Sequence, residues 1–395
     1  MNRATAYFAN ELPDSAPLIA EVENCPEMRD VTFLWRARTS PEGVYLFLNR
    51  VTDKHQVEKG MMARTGSGDI WALTLRLPAT YRGTYTFTEI PSQTQAGEIA
   101  QLGGRQAALV GQPDPLNDET ISVRGQRESV LSLDLAPAQP EWTADAAAPR
   151  GTLISGTGTV AGQLRRVRLY LPDVAPSAPL GLLVLPDAEC WLDHVGLATA
   201  LDAAIASGRI APTAVLGIDN IDNRDRCALL GGDRTLVDAL AARLIPQARA
   251  AHPDRRWAGR ERTVLAGQSL GGVTALMAAR YAPETFGAVI SSSPSMWWAP
   301  GGGSRPAGFS ADDRSWVSET VLAGAPEDVR VLLNIGTLEG AMVPHVEALH
   351  RRLRDAGVNS VLTHYTGGHD YAWWRGALID GLAALHSGRQ SAATP

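Results

Sequence analysis

The stretch TVLAGQSLGGVTALMAARYAPETFG, residues 263–287, contains the pattern that decides the fold. An apolar run leads into Gly-Gln-Ser-Leu-Gly, residues 267–271, and a helical pattern follows. This fits G-x-S-x-G, in which a sharp strand-to-helix turn exposes the serine, and small residues on either side let strand and helix approach. We therefore predict that Ser269 is a nucleophile at the carboxyl end of a sheet strand.

Two partners are expected for this serine. The backbone N–H of Leu270, at the helix start, can face a developing oxyanion. A serine hydroxyl also needs a base, and His369 follows the last predicted strand, where this fold places one. Gly367 and Gly368 precede it and let the loop bring the ring over the serine. Four other histidines are predicted to be solvated on or beside helices: His252, His345, His350 and His386.

An acid that orients the base should lie between serine and histidine in the chain. Glu339 meets this condition, because it comes just past the strand that precedes the last one. Two alternatives stay open. Asp370 is adjacent to the base, and a Ser–His dyad can work without a strong acid.

The first third of the chain predicts a β-sandwich over residues 1–140. Its apolar and polar residues alternate in short runs, which is typical of antiparallel strands. The stretch 136–151 is rich in Pro and Ala and shows neither the two-residue period of a strand nor the period of a helix, so it is predicted to be a linker. The runs are DVTFLWRAR, GVYLFLNRV, DIWALTLRL, GTYTFTEI and SVLSLDL.

The second predicted domain, residues 150–390, alternates strand-like runs with helical patterns. This alternation predicts a mostly parallel sheet covered on both faces, as in α/β proteins. Residues 152–172 are predicted to form a hairpin that opens the sheet, and the tail 387–395 is expected to be frayed. The clearest helix patterns span 235–251, 271–282 and 341–356.

Composition and charge exclude several classes of protein. The 395 residues carry a net charge of −6, which argues against a nucleic-acid partner. The N-terminus has polar residues where a secretory signal needs an apolar run, and no stretch approaches the length of a membrane span. Three cysteines match neither a zinc site nor a disulfide framework. We expect a cytoplasmic protein with no membrane partner.

Several motifs occur together in this chain: AGQSLGG, PETFGAVISSSPSMWW, IDNIDNRDR, GGHDYAWWRG, VTFLWR, VTD, YRGTY and PDPLN. In these motifs the chain resembles the cytoplasmic enterochelin esterases, which hydrolyse the trilactone of the siderophore enterobactin. The resemblance implies an immunoglobulin-like first domain and an α/β-hydrolase second domain. It implies a carboxylic ester hydrolase that releases iron from a ferric catecholate siderophore after import. No cofactor or metal site is expected, since iron enters with the substrate. The oligomeric state stays open.

The resemblance also suggests substrate-binding residues. Family members carry Asp-Gly where this chain has Asp187-Ala188, and the N–H of Ala188 is the expected second oxyanion donor. Five tryptophans are candidates for lining an aromatic site for catechol rings, although core packing is an equal alternative for each. They are Trp191, Trp297, Trp298, Trp373 and Trp374.

Local arginines must attract an anionic substrate to a net-negative protein. Arg226 matches the family arginine, and Arg224 and Arg375 are nearby candidates with surface charge as the alternative. Relatives carry an acid shortly after that arginine, whereas this chain has Leu229-Leu230, so no acid is expected to orient Arg226. Arg82 is predicted to be a solvated turn residue, with an anion contact as the alternative.

Two other functions compete with this hypothesis. Feruloyl and other carbohydrate esterases also join a β-sandwich to a hydrolase of this type. A siderophore-binding protein with a relic triad is the alternative that is not an enzyme. The presence of Ser269, Glu339 and His369 together favours an enzyme.

Overall fold

The computed structural model describes residues 12–390 apart from 67, 93, 103–109, 124, 143–147, 303–305, 307 and 327. The described residues group into two compact units. The first unit extends to Ala138 and also includes Tyr365–Trp373. The second unit comprises Gln139–His364 and the chain from Trp374 onward. Five residues of the predicted linker, 143–147, lie outside the described part.

The first unit contains two four-stranded antiparallel sheets. Their strand orders are β1-β2-β5-β4 and β3-β6-β8-β7. All five predicted runs form strands, which confirms the prediction of antiparallel strands. The strands are β1 Leu18–Val22, β2 Cys25–Arg36, β3 Gly43–Leu48, β4 Ala63–Arg64, β5 Ile70–Pro78, β6 Arg82–Ile90, β7 Thr120–Val123 and β8 Gln126–Ser132.

Aromatic side chains join the two sheets of the first unit. Phe33 and Trp35, two residues apart on β2, point to the same side of the strand. Phe33 meets Tyr85 of β6 at a centroid distance of 5.0 Å, and Trp35 meets Phe87 at 4.9 Å. Strand β3 is buried along its whole length, and the short helices Lys54–Gly60 and Ala96–Gln101 contribute residues that pack with Tyr45 and Phe47 on one of its faces.

The second unit is built on an eight-stranded mixed sheet of order β16-β15-β14-β13-β11-β12-β10-β9. Strands β9 and β10 form the predicted antiparallel hairpin, and β12, β11, β13, β14 and β15 run parallel. The central strands are buried throughout. The strands are β9 Thr152–Val160, β10 Gln163–Leu171, β11 Gly181–Pro186, β12 Thr213–Ile218, β13 Thr263–Gln268, β14 Ala288–Ser292, β15 Arg330–Gly336 and β16 Ser360–Tyr365.

The three predicted helix patterns are all helical. They correspond to Leu270–Tyr281, to Met342–Asp355 and to the consecutive segments Arg234–Ala239, Leu240–Leu244 and Ile245–Ala250, of which the middle one is a π-helical turn. The main helices that the pattern did not single out are Leu197–Ala206, Asn223–Leu229, Trp316–Leu322 and Tyr371–Gln390. Within residues 12–390, the described helices include none long and apolar enough to cross a membrane.

The C-terminal helix corrects the expected fraying at residue 387. It continues to Gln390, and the rest of that stretch lies outside the described residues.

The carboxyl edge of the parallel strands gathers the candidate site residues of the second unit. Asp187 follows β11, Ser269 follows β13, Ser293 follows β14 and Glu339 lies just past β15. Because these strands are neighbours and parallel, the turns that follow them meet at one edge of the sheet.

Candidate active site

Ser269 occupies the strained turn that the motif predicts. Its backbone has φ +58 and ψ −118, a conformation that non-glycine residues rarely adopt. Its N–H donates to the carbonyl of Ser292 at 3.0 Å, and its carbonyl accepts from the N–H of Ser295 at 3.1 Å. A Cβ at Gly267 would lie 2.3 Å from the carbonyl oxygen of Gly271, so only glycine permits the strand and helix to approach this closely.

Leu270 begins the helix that follows the serine. The first N–H groups of a helix have no intrahelical acceptor and carry partial positive charge, which suits them to an oxyanion. The Oγ of Ser269 lies 3.3 Å from the Oγ of Ser295 and is nearly buried, with the residue 9% exposed.

Asp187 forms a second strained turn, with φ +57, at the end of β11. Its carboxylate accepts four hydrogen bonds. Two come from Arg226, from Nε at 2.6 Å and Nη2 at 2.8 Å; the others come from Asn220 at 2.6 Å and Gln268 at 2.8 Å. These contacts over-determine a conformation that would otherwise be unfavourable. The expectation that no acid orients Arg226 is wrong. Asp187 does so from the end of β11, and not from a position shortly after the arginine in the sequence.

Ala188 follows this turn and is fully buried. Its backbone is outside the left-handed region, so alanine can replace the family glycine without backbone strain. Space for its methyl group comes from the neighbouring strand, where a Cβ at Gly217 would lie 2.6 Å from the Cβ of Ala188.

Gln268 connects the two strained turns. Its side-chain amide donates to Asp187, and its Oε1 accepts from the indole N–H of Trp191 at 3.2 Å. Because Gln268 precedes the serine and Asp187 precedes Ala188, this bond links the nucleophile to the expected oxyanion donor. The motif pattern leaves its second position unspecified, so the sequence did not single out Gln268.

Asn220 extends the network toward a further carboxyl group. It donates through Nδ2 to Asp187 and to Glu189, and its N–H donates to Glu189 at 3.1 Å. Burial raises the pKa of Glu189, and the nearby Asp187 raises it further, whereas the hydrogen bonds from Asn220 lower it.

Glu339 is 1% exposed at the carboxyl edge of the sheet. Its Oε1 accepts from the N–H of Gly336 at 3.1 Å and from the hydroxyl of Ser293. Ser293 has φ +46, and its hydroxyl accepts in turn from the indole N–H of Trp374 at 2.9 Å. Glu339 is therefore an internal carboxylate and not a solvated loop residue. Ser293 was not predicted from the sequence.

His369 lies in the segment that groups with the first unit. Asp370, next to it, accepts from the N–H and hydroxyl of Thr84 at 2.6 and 2.8 Å and from the N–H of Ala372 at 2.8 Å. Burial raises the pKa of Asp370, although the hydrogen bonds from Ala372 and Thr84 lower it. These contacts make Asp370 the cap of the C-terminal helix, which disfavours it as the orienting acid.

The predicted aromatic residues differ in exposure. Trp191, Trp373 and Trp374 are buried, and each donates its indole N–H inside the protein. Trp297 and Trp298 are partly exposed. Core packing therefore describes the first three better, whereas both alternatives stay open for the last two, which are partly exposed and also pack against the core.

Two predictions of solvated side chains need correction. Arg82 is buried on β6 and donates to Ser132 and to the carbonyl of Pro137. His345 is buried and bonds the carbonyl of Ser310 at 2.8 Å. Each is buried because its polar atoms find partners inside the protein.

Arg375 is also internal. It donates to Gln139 at 2.7 Å, and its guanidinium lies over the ring of Trp142 at 5.6 Å from the centroid. The alternative that Arg375 is a surface charge is wrong, because the residue is 5% exposed, and its role in binding an anionic substrate stays a prediction. Among the described residues, no group of three or more His, Cys, Asp or Glu side chains is arranged to hold a metal ion.

Ser269 lies in a strained turn between a buried strand and a helix, at the carboxyl end of the central strands of a mixed eight-stranded sheet. This arrangement is typical of hydrolases of the esterase type. Residues 158–385 match the family model described as putative esterase. Residues 30–142 match the model described as enterochelin esterase, N-terminal. The chain belongs to the enterochelin esterase family.

Individual relatives cover nearly the whole chain. The iron(III) salmochelin esterase of Escherichia coli O6:H1 is 57% identical over 373 residues, which are 94% of this chain and 91% of that protein. The iron(III) enterobactin esterase of Escherichia coli K12 is 31% identical, over 91% of this chain and 92% of that protein.

Solved structures of enterobactin esterases are also similar to this chain over most of its length. The ferric enterobactin esterase of Salmonella typhimurium superimposes with a TM-score of 0.80 at 28% identity, covering 94% of this chain and 96% of that one. The enterobactin esterase of Shigella flexneri, solved in the presence of enterobactin, has a TM-score of 0.79 at 27% identity with the same coverage.

Proposed function

We propose that this protein is a cytoplasmic serine esterase that hydrolyses the trilactone ester bonds of a ferric catecholate siderophore and so releases iron. The observation that carries this proposal is the combination, in one chain, of an enterochelin esterase N-terminal part with an esterase part that holds Ser269 in a strained strand-to-helix turn, the nucleophile elbow. The 57% identity to a salmochelin esterase supports the substrate class. No cofactor is proposed, because iron enters as part of the substrate.

The proposed architecture is an immunoglobulin-like sandwich over residues 1–140 and an α/β-hydrolase over residues 150–390. The packed antiparallel sheets support the first assignment. The strand order, with a hairpin at one edge and the elbow after a central strand, supports the second.

The proposed reaction is acyl transfer to Ser269. His369 takes the hydroxyl proton as Oγ attacks the ester carbonyl, and the N–H groups of Leu270 and Ala188 stabilise the oxyanion. Collapse of this intermediate breaks the ester C–O bond, and His369 returns the proton to the leaving alcohol. Water then attacks the acyl-enzyme with His369 again as base, which regenerates Ser269 and leaves a carboxylic acid. Glu339 is the proposed orienting acid, and Trp297 and Trp298 are the proposed catechol contacts.

The test is an assay of the purified protein against ferric enterobactin and a feruloyl ester. We expect rapid cleavage of the siderophore and little cleavage of the feruloyl ester. The opposite preference would support the carbohydrate-esterase alternative. A protein that binds the siderophore but neither cleaves it nor reacts with a fluorophosphonate probe at Ser269 would be a binding module.

Glu339→Gln is expected to lower kcat/KM for the siderophore, but about 10²-fold less than loss of the nucleophile does, because it spares Ser269 and His369. It removes only the charge that stabilises the protonated base. Steady-state kinetics on the two variants measure the difference. Wild-type activity in Glu339→Gln would mean that the acid lies elsewhere or that the enzyme uses a dyad.

Arg226→Ala is expected to destabilise the fold by about 3–5 kcal/mol, because it leaves the buried carboxylate of Asp187 without its bidentate partner. It should also lower kcat on both a ferric siderophore and a small neutral ester, since Asp187 holds the turn before Ala188. Denaturant unfolding and kinetics measure the two effects.

Arg224→Ala is the matched control, since Arg224 is exposed on the same helix. It should change stability by less than about 0.5 kcal/mol. An Arg226→Ala effect confined to KM for the siderophore, and diminished by salt, would instead mean that Arg226 serves to attract the anionic ligand.

A further inference from the structure

We propose that the first unit sets the position of the base, and that Asn49 is the positioning residue. This proposal rests on the proposed role of His369. Asn49 follows strand β3, and its side-chain amide bonds both backbone groups of His369. Its Oδ1 accepts from the N–H of His369 at 3.0 Å, and its Nδ2 donates to the carbonyl of His369 at 3.3 Å.

Such a two-point contact constrains the histidine more than one bond does. The amide fixes the backbone on both sides of the His369 Cα, in the way that a neighbouring strand would. The direction in which the imidazole leaves the backbone is then set by a residue 320 positions earlier in the chain. Both hydrogen bonds reach the main chain of His369, so Asn49 is proposed to act through His369.

The glycines before the histidine have a packing role in this contact. A Cβ at Gly368 would lie 2.3 Å from the Oδ1 of Asn49 and 2.9 Å from the Cβ of Arg50. A Cβ at Gly367 would lie 2.5 Å from the carbonyl oxygen of Arg82. Neither glycine has a positive φ. Glycine is therefore required at both positions by the close approach of Asn49, Arg50 and Arg82, and not by a left-handed turn.

Contacts on either side of His369 continue the attachment. The N–H of Arg82 donates to the carbonyl of Thr366 at 2.9 Å, and the hydroxyls of Thr80 and Thr366 are 2.7 Å apart. On the other side, Thr84 holds the carboxylate of Asp370. Residues on both sides of His369, Thr366 and Asp370, are therefore bonded to β6 or to the turn before it. Asn49 bonds His369 directly.

This arrangement has a kinetic consequence. A base must stay within hydrogen-bond reach of the proton it removes, and a displacement of about 1 Å can cost about 10²-fold in rate. Loosening the attachment should therefore slow hydrolysis of every ester. A residue that contributed only to siderophore binding would instead affect the reaction of large siderophores and not that of small esters.

The test is Asn49→Ala in the full-length protein. We expect kcat to fall about 10- to 10²-fold on both ferric enterobactin and a small neutral ester, with KM nearly unchanged. Fluorophosphonate labelling of Ser269 should slow by a similar factor. Asn49→Asp keeps the acceptor for the His369 N–H and should show an intermediate loss. Gly368→Ala, which displaces the loop from the same amide, should lower kcat independently.

Asn117→Ala is the matched control for general loosening of the first unit. Its amide donates to the carbonyl of Val130 at 2.8 Å and to the hydroxyl of Tyr85 at 3.0 Å, and not to the histidine segment. It should lower stability while kcat of the folded protein stays at the wild-type value.

Two failures are distinguishable in this design. Wild-type kcat on the small ester in Asn49→Ala and Gly368→Ala, or a change in siderophore KM alone, would overturn the positioning role. Substantial activity in His369→Ala, measured in parallel, would instead remove His369 as the base and with it the positioning role, whereas a wild-type protein that does not hydrolyse the siderophore would overturn the proposed function.

Discussion

Ser269→Ala is expected to lower kcat/KM for a ferric siderophore and for a small neutral ester by about 10⁴-fold or more, with the fold intact. The hydroxyl is the atom that forms the acyl-enzyme, so its loss removes the covalent route for every ester. The backbone strain at φ +58 belongs to the turn and not to the hydroxyl, and alanine has the same Cβ. Circular dichroism and thermal unfolding should therefore match the wild type.

The control for this variant is Ser295→Ala, because the two hydroxyl oxygens lie only 3.3 Å apart. Labelling by a fluorophosphonate probe should disappear in Ser269→Ala and persist in Ser295→Ala. A Ser269→Ala protein that kept a tenth of wild-type activity would exclude Ser269 as the nucleophile.

The parts of the fold that the sequence predicted are those specified by local pattern. The elbow is one example, because strand, glycine, serine and helix lie within 25 consecutive residues, 263–287. The parallel strands β11 to β15 are others, since apolar runs of five to seven residues bounded by turns are sufficient to identify them. The hairpin β9–β10 was also predicted, from two longer strand-like segments joined by the turn at Ala161 and Gly162.

The parts that the sequence did not predict depend on long-range partners. Asp187 finds Arg226 39 positions away, and Asn49 finds His369 320 positions away. Any exposed asparagine or aspartate could make such bonds, and only the tertiary fold selects which one does. The sequence therefore shows which side chains are polar, but it does not show which residue each of them will bond in the folded protein.

Exposure of the aromatic residues was ambiguous for a related reason. An indole ring serves equally well in a core and in a catechol site, and its N–H finds a partner in either place. Trp373 and Trp374 follow the histidine, and the start of the helix at Tyr371 buries both. Asp370 is a good N-cap residue and was a sequence signal for that helix. Because it is adjacent to His369, it was considered instead as a candidate for the orienting acid.

His369→Ala is expected to lower kcat/KM by about the same 10⁴-fold as Ser269→Ala, because an unactivated hydroxyl is a poor nucleophile. His364→Ala is the matched control. That histidine lies on β16, is exposed and bonds Glu347 at 3.0 Å, so its loss should leave kcat/KM near the wild-type value.

The double variant Ser269→Ala/His369→Ala separates a nucleophile–base pair from two independent contributions. Residues that act in one step lose their joint function when either is removed, so the double variant should be no slower than the slower single variant. Free energies calculated from kcat/KM of the three variants, on both the siderophore and the small ester, measure the coupling. If the losses were instead additive, His369 would contribute to a step that does not involve the Ser269 hydroxyl. The attachment of the histidine segment to the first unit would then have to serve something other than proton transfer.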